Sequence, residues 1–172
     1  MQAKFYEMLY RINAEPRWRR ILGWSEPDLH IKDIEILLRG FAMLIEGANY
    51  APSMVKFLNQ FSKKCKNQAE DQNIYLGDLF VSFLEACSDL SDDAFINKKN
   101  KRFNIALYEA VFAAVCETAF AEIRLLVGKI TAERLRELES DEEFVKAALE
   151  GTTRTTNVQL RLNRARAIVA AL

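Results

Sequence analysis

From Phe103 to Phe120 the chain reads FNIALYEAVFAAVCETAF, and its only charges are Glu109 and Glu117. A helix of this composition has almost no face to offer water, so it reads as a buried helix. Immediately before it stands NKKNKR, Asn97 to Arg102, with Lys98, Lys99, Lys101 and Arg102 in six positions. The fold has to cover the first segment and place the charge of the second.

The rest of the chain repeats helical periodicity. Phe5, Leu9 and Ile12 share a face in a helix from about residue 3 to 13. Pro16 opens a short helix carrying Trp18, Ile21 and Leu22, which Gly23 ends. Ile34, Leu38, Phe41 and Ile45, widened by Leu37 and Leu44, predict a well-buried helix up to Glu46, stopped by Gly47. A helix starting at Pro52 and Ser53 turns Val55, Leu58 and Phe61 inward, with lysines elsewhere, and NQAEDQN from Asn67 is a loop. A longer helix from about Ile74 to Leu90 turns Leu76, Leu79, Phe80, Phe83, Leu84 and Cys87 inward. Thr131 caps AERLREL, while SDEE at Ser140 and TNVQ at Thr156 have capping-box spacing. In the last helix Val158, Leu162, Ala165, Val169 and Leu172 recur every three or four residues. No segment alternates with period two, so the expectation is an all-α compact multi-helix domain over residues 1–172, about seven to nine helices and no sheet.

Composition agrees with a globular protein: half the residues are hydrophobic and 28% charged, too apolar for intrinsic disorder. Charge interrupts every apolar stretch before the ~20 residues of a membrane span. The N-terminus lacks an apolar stretch of signal-peptide type. Cys65, Cys87 and Cys116 form no metal or redox spacing; Cys87 and Cys116 fall on apolar stripes, whereas Cys65 sits among lysines and is expected to be exposed. A cytoplasmic location fits. Lys plus Arg and Asp plus Glu number 24 each, so any anion site has to be local.

Catalytic signatures are sparse. His30 is the only histidine and reads as a helix-start or surface residue. No phosphate loop, dinucleotide fingerprint or H-E-x-x-H motif occurs. Asp92, Asp93 and the acids from Glu139 to Glu143 flank polar loops and helix starts, where the helix dipole favours them. Glu35 and Arg39 have the spacing of an intrahelical pair. No cofactor and no metal are expected.

Two groups of residues remain as candidate sites. The Lys98, Lys99, Lys101 and Arg102 cluster is opposed by the dipole of the helix it precedes. It is either a solvated loop or an anion site in which ammonium groups and free helix amides meet a phosphate. From Gly151 onward there is no acid but there are Arg154, Arg161, Arg164 and Arg166. These are either a solvated face balancing the acidic segment before them or the second half of one anion-binding, DNA-contacting face. Trp18 and Trp24 flank the first glycine stop and read as core-edge residues or stacking platforms.

The ordered segments FYEMLYRINAEPRWRRILG, IKDIEILLRGFAML with MVKFLNQF, NKRFNIALYEAVFAA and GTTRTTNVQLRLNRARAI resemble the GmrSD-type restriction and ParB-like nuclease family of prokaryotic phage defence. The resemblance covers nearly the whole chain and corresponds to the C-terminal, helical half of that family's conserved domain. The catalytic ParB-like core is absent, since neither its D-G-Q-Q-R motif nor its R-x-N-x-x-G-type motif occurs; YRIN at Tyr10 lacks the glycine. What the resemblance implies is a non-catalytic helical scaffold or recognition part, not itself an enzyme. Its partner would be a catalytic N-terminal core or nuclease subunit, with weak nucleic acid contact and no membrane contact. Where that core should join, Phe5, Met8, Trp18 and Trp24 are expected to form an uncovered apolar face. The alternative is a free-standing helical protein-interaction or regulatory module.

Overall fold

A computed structural model describes residues 3–170, and within them the chain forms nine α-helices. They are α1 (Lys4–Asn13), α2 (Pro16–Leu22), α3 (Lys32–Glu46, extended by a 3-10 turn, Gly47–Asn49), α4 (Met54–Cys65), α5 (Glu70–Ala86), α6 (Ile105–Ala121), α7 (Ala132–Ser140), α8 (Glu142–Leu149) and α9 (Thr155–Val169). The described residues contain no strand, only an isolated antiparallel bridge between Ile96 and Phe103. None of the helices is long and apolar enough to cross a membrane.

The apolar segment becomes α6, whose first turn is capped by Asn104 Oδ1 accepting from the Leu107 amide at 3.1 Å. Every residue from Leu107 to Cys116 is buried, because α3, α5 and α9 pack around the helix. Its aromatic residues join a ring cluster at the centre of the molecule. Phe112 lies 5.0 Å from Phe83 and 5.4 Å from Phe41, and Tyr108 lies 5.2 Å from Trp18, centroid to centroid. Edge-on and tilted geometries of this kind add to the burial of the rings. One hydrophobic cluster runs from Phe5 to Val169.

Local chemistry explains where the helices stop, and it corrects several expectations. Gly23 ends α2 at φ 76°, a left-handed conformation that costs glycine nothing. Thr131 caps α7 as expected. Ser140 does not cap α8: its hydroxyl turns back to the Arg136 carbonyl, and Asp141 accepts from the Phe144 amide at 2.9 Å instead. Ionised Asp141 is the stronger acceptor. The TNVQ box does not form either, since α9 begins at Thr155 without a side-chain cap. There Asn157 donates to the Glu150 and Gly151 carbonyls and Gln159 to the Gly47 carbonyl. The NQAEDQN loop is shorter than expected, because Glu70 and Asp71 already sit in the first turn of α5, where their charge favours the dipole.

Helix phase accounts for two further differences. On α4 the buried stripe is Met54, Phe57, Leu58, Phe61 and Cys65, spaced by three and four residues. Val55 lies off that stripe and is 69% exposed, whereas Cys65 is buried despite its lysine neighbours. Desolvation pushes the Cys65 thiol up to about 12, and the Cys87 thiol likewise. Leu172, the last member of the C-terminal stripe, lies outside the described residues.

Candidate functional site

Polar residues scattered along the chain meet in two buried networks. The first joins α1, α2 and α3. Arg19 Nη1 donates to Asp33 Oδ2 at 2.8 Å and to Asn13 Oδ1 at 3.0 Å, while Asn13 Nδ2 donates to Asp33 Oδ2 at 3.0 Å. The Trp18 indole donates to Asn13 Oδ1 at 3.1 Å, so the whole side chain can be buried without an orphaned N–H. Burial alone would push the Asp33 carboxyl up, but hydrogen bonds from Arg19, Asn13 and the Asp28 and Ile34 amides outweigh it and hold the group below its usual range. Asp28 caps the turn ahead of α3 by accepting from the His30 and Lys32 amides, leaving His30 itself exposed.

The second network joins α3, α6 and α9. Arg39 Nε donates to Glu109 Oε2 at 2.9 Å, and Arg161 Nη2 lies 3.6 Å from Glu109 Oε1. Arg161 also donates to the Ala147 carbonyl at 2.7 Å and the Thr152 carbonyl at 2.9 Å. Desolvation and the neighbouring Arg39 pull Arg161 below the usual guanidinium range, and Glu109 opposes them. The expected Glu35–Arg39 pair is therefore replaced: Arg39 reaches across to α6, and Glu35 accepts from Lys32 at 2.9 Å.

These contacts decide the candidate arginines. Arg161 is 2% exposed and cannot meet a phosphate without leaving its partners. Arg164 is held by Asp141, with Nη2 to Oδ2 at 2.6 Å, and Arg166 by Glu117 at 2.9 Å. Arg154 is exposed ahead of α9. The acid-free segment thus has carboxylate partners after all, contributed by α6 and the α7–α8 corner. At the α7–α8 corner Glu139 lines a groove with Lys98 and Lys99, while Asp141 and Glu143 pair with Arg164.

The expected apolar face at the N-terminus is also absent. Phe5, Met8 and Trp18 are fully buried within the chain, and Trp24 is half-buried against the core. Trp18 sits at the core's centre rather than its edge, between Phe80, Phe103 and Tyr108. Sequence spacing marked these residues as apolar but carried no record of what covers them.

The lysine loop is an ordered structure. Asn97 N donates to the Arg102 carbonyl and Lys101 N to the Asn97 carbonyl, both at 2.8 Å. Asn97 Oδ1 accepts from the Lys99 amide at 2.9 Å and the Asn100 amide at 3.2 Å. Phe95 and Phe103, at its two ends, are buried against Tyr108. Lys98, Lys99, Lys101 and Arg102 are therefore all exposed on a turn anchored in the aromatic core.

Beside this turn a groove of about 660 Å³ opens between Asn97–Asn104 and the α7–α8 corner. Lys98, Lys99 and Arg136 line it together with Glu139 and Ser140, and Phe144, Val145, Ala148 and Leu149 of α8 supply its apolar side, the floor of the groove. Burial pushes the Glu139 carboxyl up, while Lys98 opposes it and Asp93 adds to it. The sequence indicated the lysines; Arg136 and the α8 floor were not anticipated, and only their proximity to the loop reveals them. Among the described residues no group of histidine, cysteine and carboxylate side chains is gathered as for a metal ion. Comparison with protein-family models, with curated proteins and with solved structures finds no significant match.

Proposed function

We propose that this chain is the helical, non-catalytic part of a GmrSD-like, ParB-type nuclease of phage defence, a scaffold that acts alongside a catalytic core. The observation that supports this reading is where the polar residues of the resembling segments go. Asn13 and Arg19 from the first segment, Asp33 and Arg39 from the second, Glu109 from the third and Arg161 from the last are members of the two buried networks. Taking charged groups out of water is costly, and such groups serve best where they specify one arrangement of the elements that carry them. A scaffold for a separate catalytic unit needs that specificity. The groove beside the lysine turn favours a second reading, a helical interaction module that acts through a partner without a nuclease.

The test is a reconstitution. Purified alone with magnesium, the chain is expected to leave plasmid DNA and nucleoside triphosphates intact. Co-expressed with a core from the same genome that carries D-G-Q-Q-R, it is expected to co-purify with that core and to be required for its activity. DNA cleavage by the isolated chain that disappears on Asp92→Ala or Glu142→Ala, or a core indifferent to its presence, refutes the reading.

A further inference from the structure

We infer that the groove between the lysine turn and α8 is a docking site for an acidic amphipathic helix of a partner protein. Three features of the site select this occupant. The floor is one face of α8, where Phe144 with Ala148 and Val145 with Leu149 form two i, i+4 rows, the ridges between which a second helix packs. Leu149 is 74% exposed at the end of that floor, so apolar surface is open for an incoming side chain. Three cations, Lys98, Lys99 and Arg136, line the site against one carboxylate, Glu139. Those three form no ion pair among the described residues, unlike the arginines of α2 and α9 that are held by carboxylates.

The turn itself is braced. Asn97 satisfies its amides and Phe95 and Phe103 fix its ends, so the ammonium groups stand beside the apolar floor before any partner arrives. Such preorganisation lowers the ordering cost of binding. A nucleic acid backbone would use the lysines but has no use for an aliphatic floor, and the only aromatic ring lining the groove, Phe144, is buried at its base. The inference stands apart from the nuclease reading, because it concerns what the groove holds, whichever enzyme the partner is.

The test uses fluorescence anisotropy with the whole chain and a labelled helical peptide of about 14 residues, roughly four turns, bearing leucine on one face and glutamate elsewhere. Two control peptides replace all glutamate with lysine or all leucine with serine, and a short DNA duplex serves as competitor. The acidic amphipathic peptide is expected to bind at least ten times more tightly than either control. Lys98→Glu combined with Lys99→Glu, and separately Leu149→Glu, are each expected to weaken it about tenfold or more. Lys56→Glu with Lys63→Glu on α4, outside the groove, is expected to change nothing. All the substituted side chains are exposed, and far-UV circular dichroism checks that the variants remain folded. Absence of binding, equal binding of the serine control, or insensitivity to Leu149→Glu overturns the inference. Displacement by the duplex through Lys98 and Lys99 overturns it in favour of a nucleic acid surface.

Discussion

Replacing Glu109 by Gln keeps the shape of the side chain and removes one charge from between two guanidinium groups. Its carboxylate is 3% exposed, and so is the Arg161 side chain, while Arg39 is 18% exposed. Losing one partner of a buried ion pair costs about 3–5 kcal/mol, because the remaining charge has been desolvated without compensation. Arg39 lies closer to water and can turn outward. Arg161 cannot, since its two bonds to the Ala147 and Thr152 carbonyls hold it against α8 and the turn that follows it. Those carbonyls retain part of the stabilisation, which places the expected loss near the lower bound, about 3 kcal/mol. For a chain of this size each kcal/mol moves the melting temperature by about 2–4 °C, so Glu109→Gln is expected to melt roughly 6–12 °C lower. Adding Arg161→Met removes the trapped cation and is expected to restore part of that loss, giving a coupling above about 0.5 kcal/mol in a double-mutant cycle. Urea unfolding of wild type, both single variants and the double variant measures it. Strictly additive effects, or a Glu109→Gln protein as stable as wild type, would refute the account of this network.

Three further outcomes follow from other parts of the core. Tyr108 Oη is buried without a hydrogen-bond partner, so Tyr108→Phe removes an unsatisfied group and is expected to be neutral or to stabilise by about 1 kcal/mol in urea unfolding; a loss above that size would show that the hydroxyl has a partner. A Cβ on Gly40 would stand 2.5 Å from that same oxygen and 3.2 Å from Phe112 Cδ1, so Gly40→Ala is expected to destabilise by about 1–3 kcal/mol despite alanine's better helix propensity, and Tyr108→Phe should recover part of the loss. The depressed Asp33 carboxyl contributes stability that is complete above its unfolded value of about 3.9 and is lost as pH falls through the lower folded value. Asp33→Asn is therefore expected to lie about 3 kcal/mol below wild type at pH 7, with the gap narrowing below about pH 4; a gap independent of pH would refute the assignment.

Much of the architecture was present in the spacing of apolar residues, because a helix buries a stripe whose period is a property of the helix alone. Hence α1, α2, α3 and α9 lie where their stripes placed them, Gly23 and Thr131 end and begin helices as their chemistry dictates, and α6 is buried on all sides from Leu107 to Cys116. The same local reasoning located the lysine turn. It misplaced Val55, which lies one residue off the buried stripe of α4, and Cys65, whose lysine neighbours suggested exposure although it follows Phe61 by four residues on that stripe.

Partnership between distant residues is a different kind of quantity. Arg39 had a carboxylate four residues away and bonded to one seventy residues away, because packing α3 on α6 desolvated Glu109 and left it needing a cation. Arg161, Arg164 and Arg166 read as free charge along an acid-free segment, yet α6 and the α7–α8 corner bring Glu109, Asp141 and Glu117 to them. Trp18 could be recognised as apolar from its neighbours, but its central position depended on Asn13 being folded back to accept its N–H. The groove follows the same rule, since Lys98 and Leu149 are fifty-one positions apart and become one surface only when α8 comes to lie beside the turn. Periodicity is encoded within a few residues, whereas desolvation and charge pairing depend on which elements the packed core sets against one another.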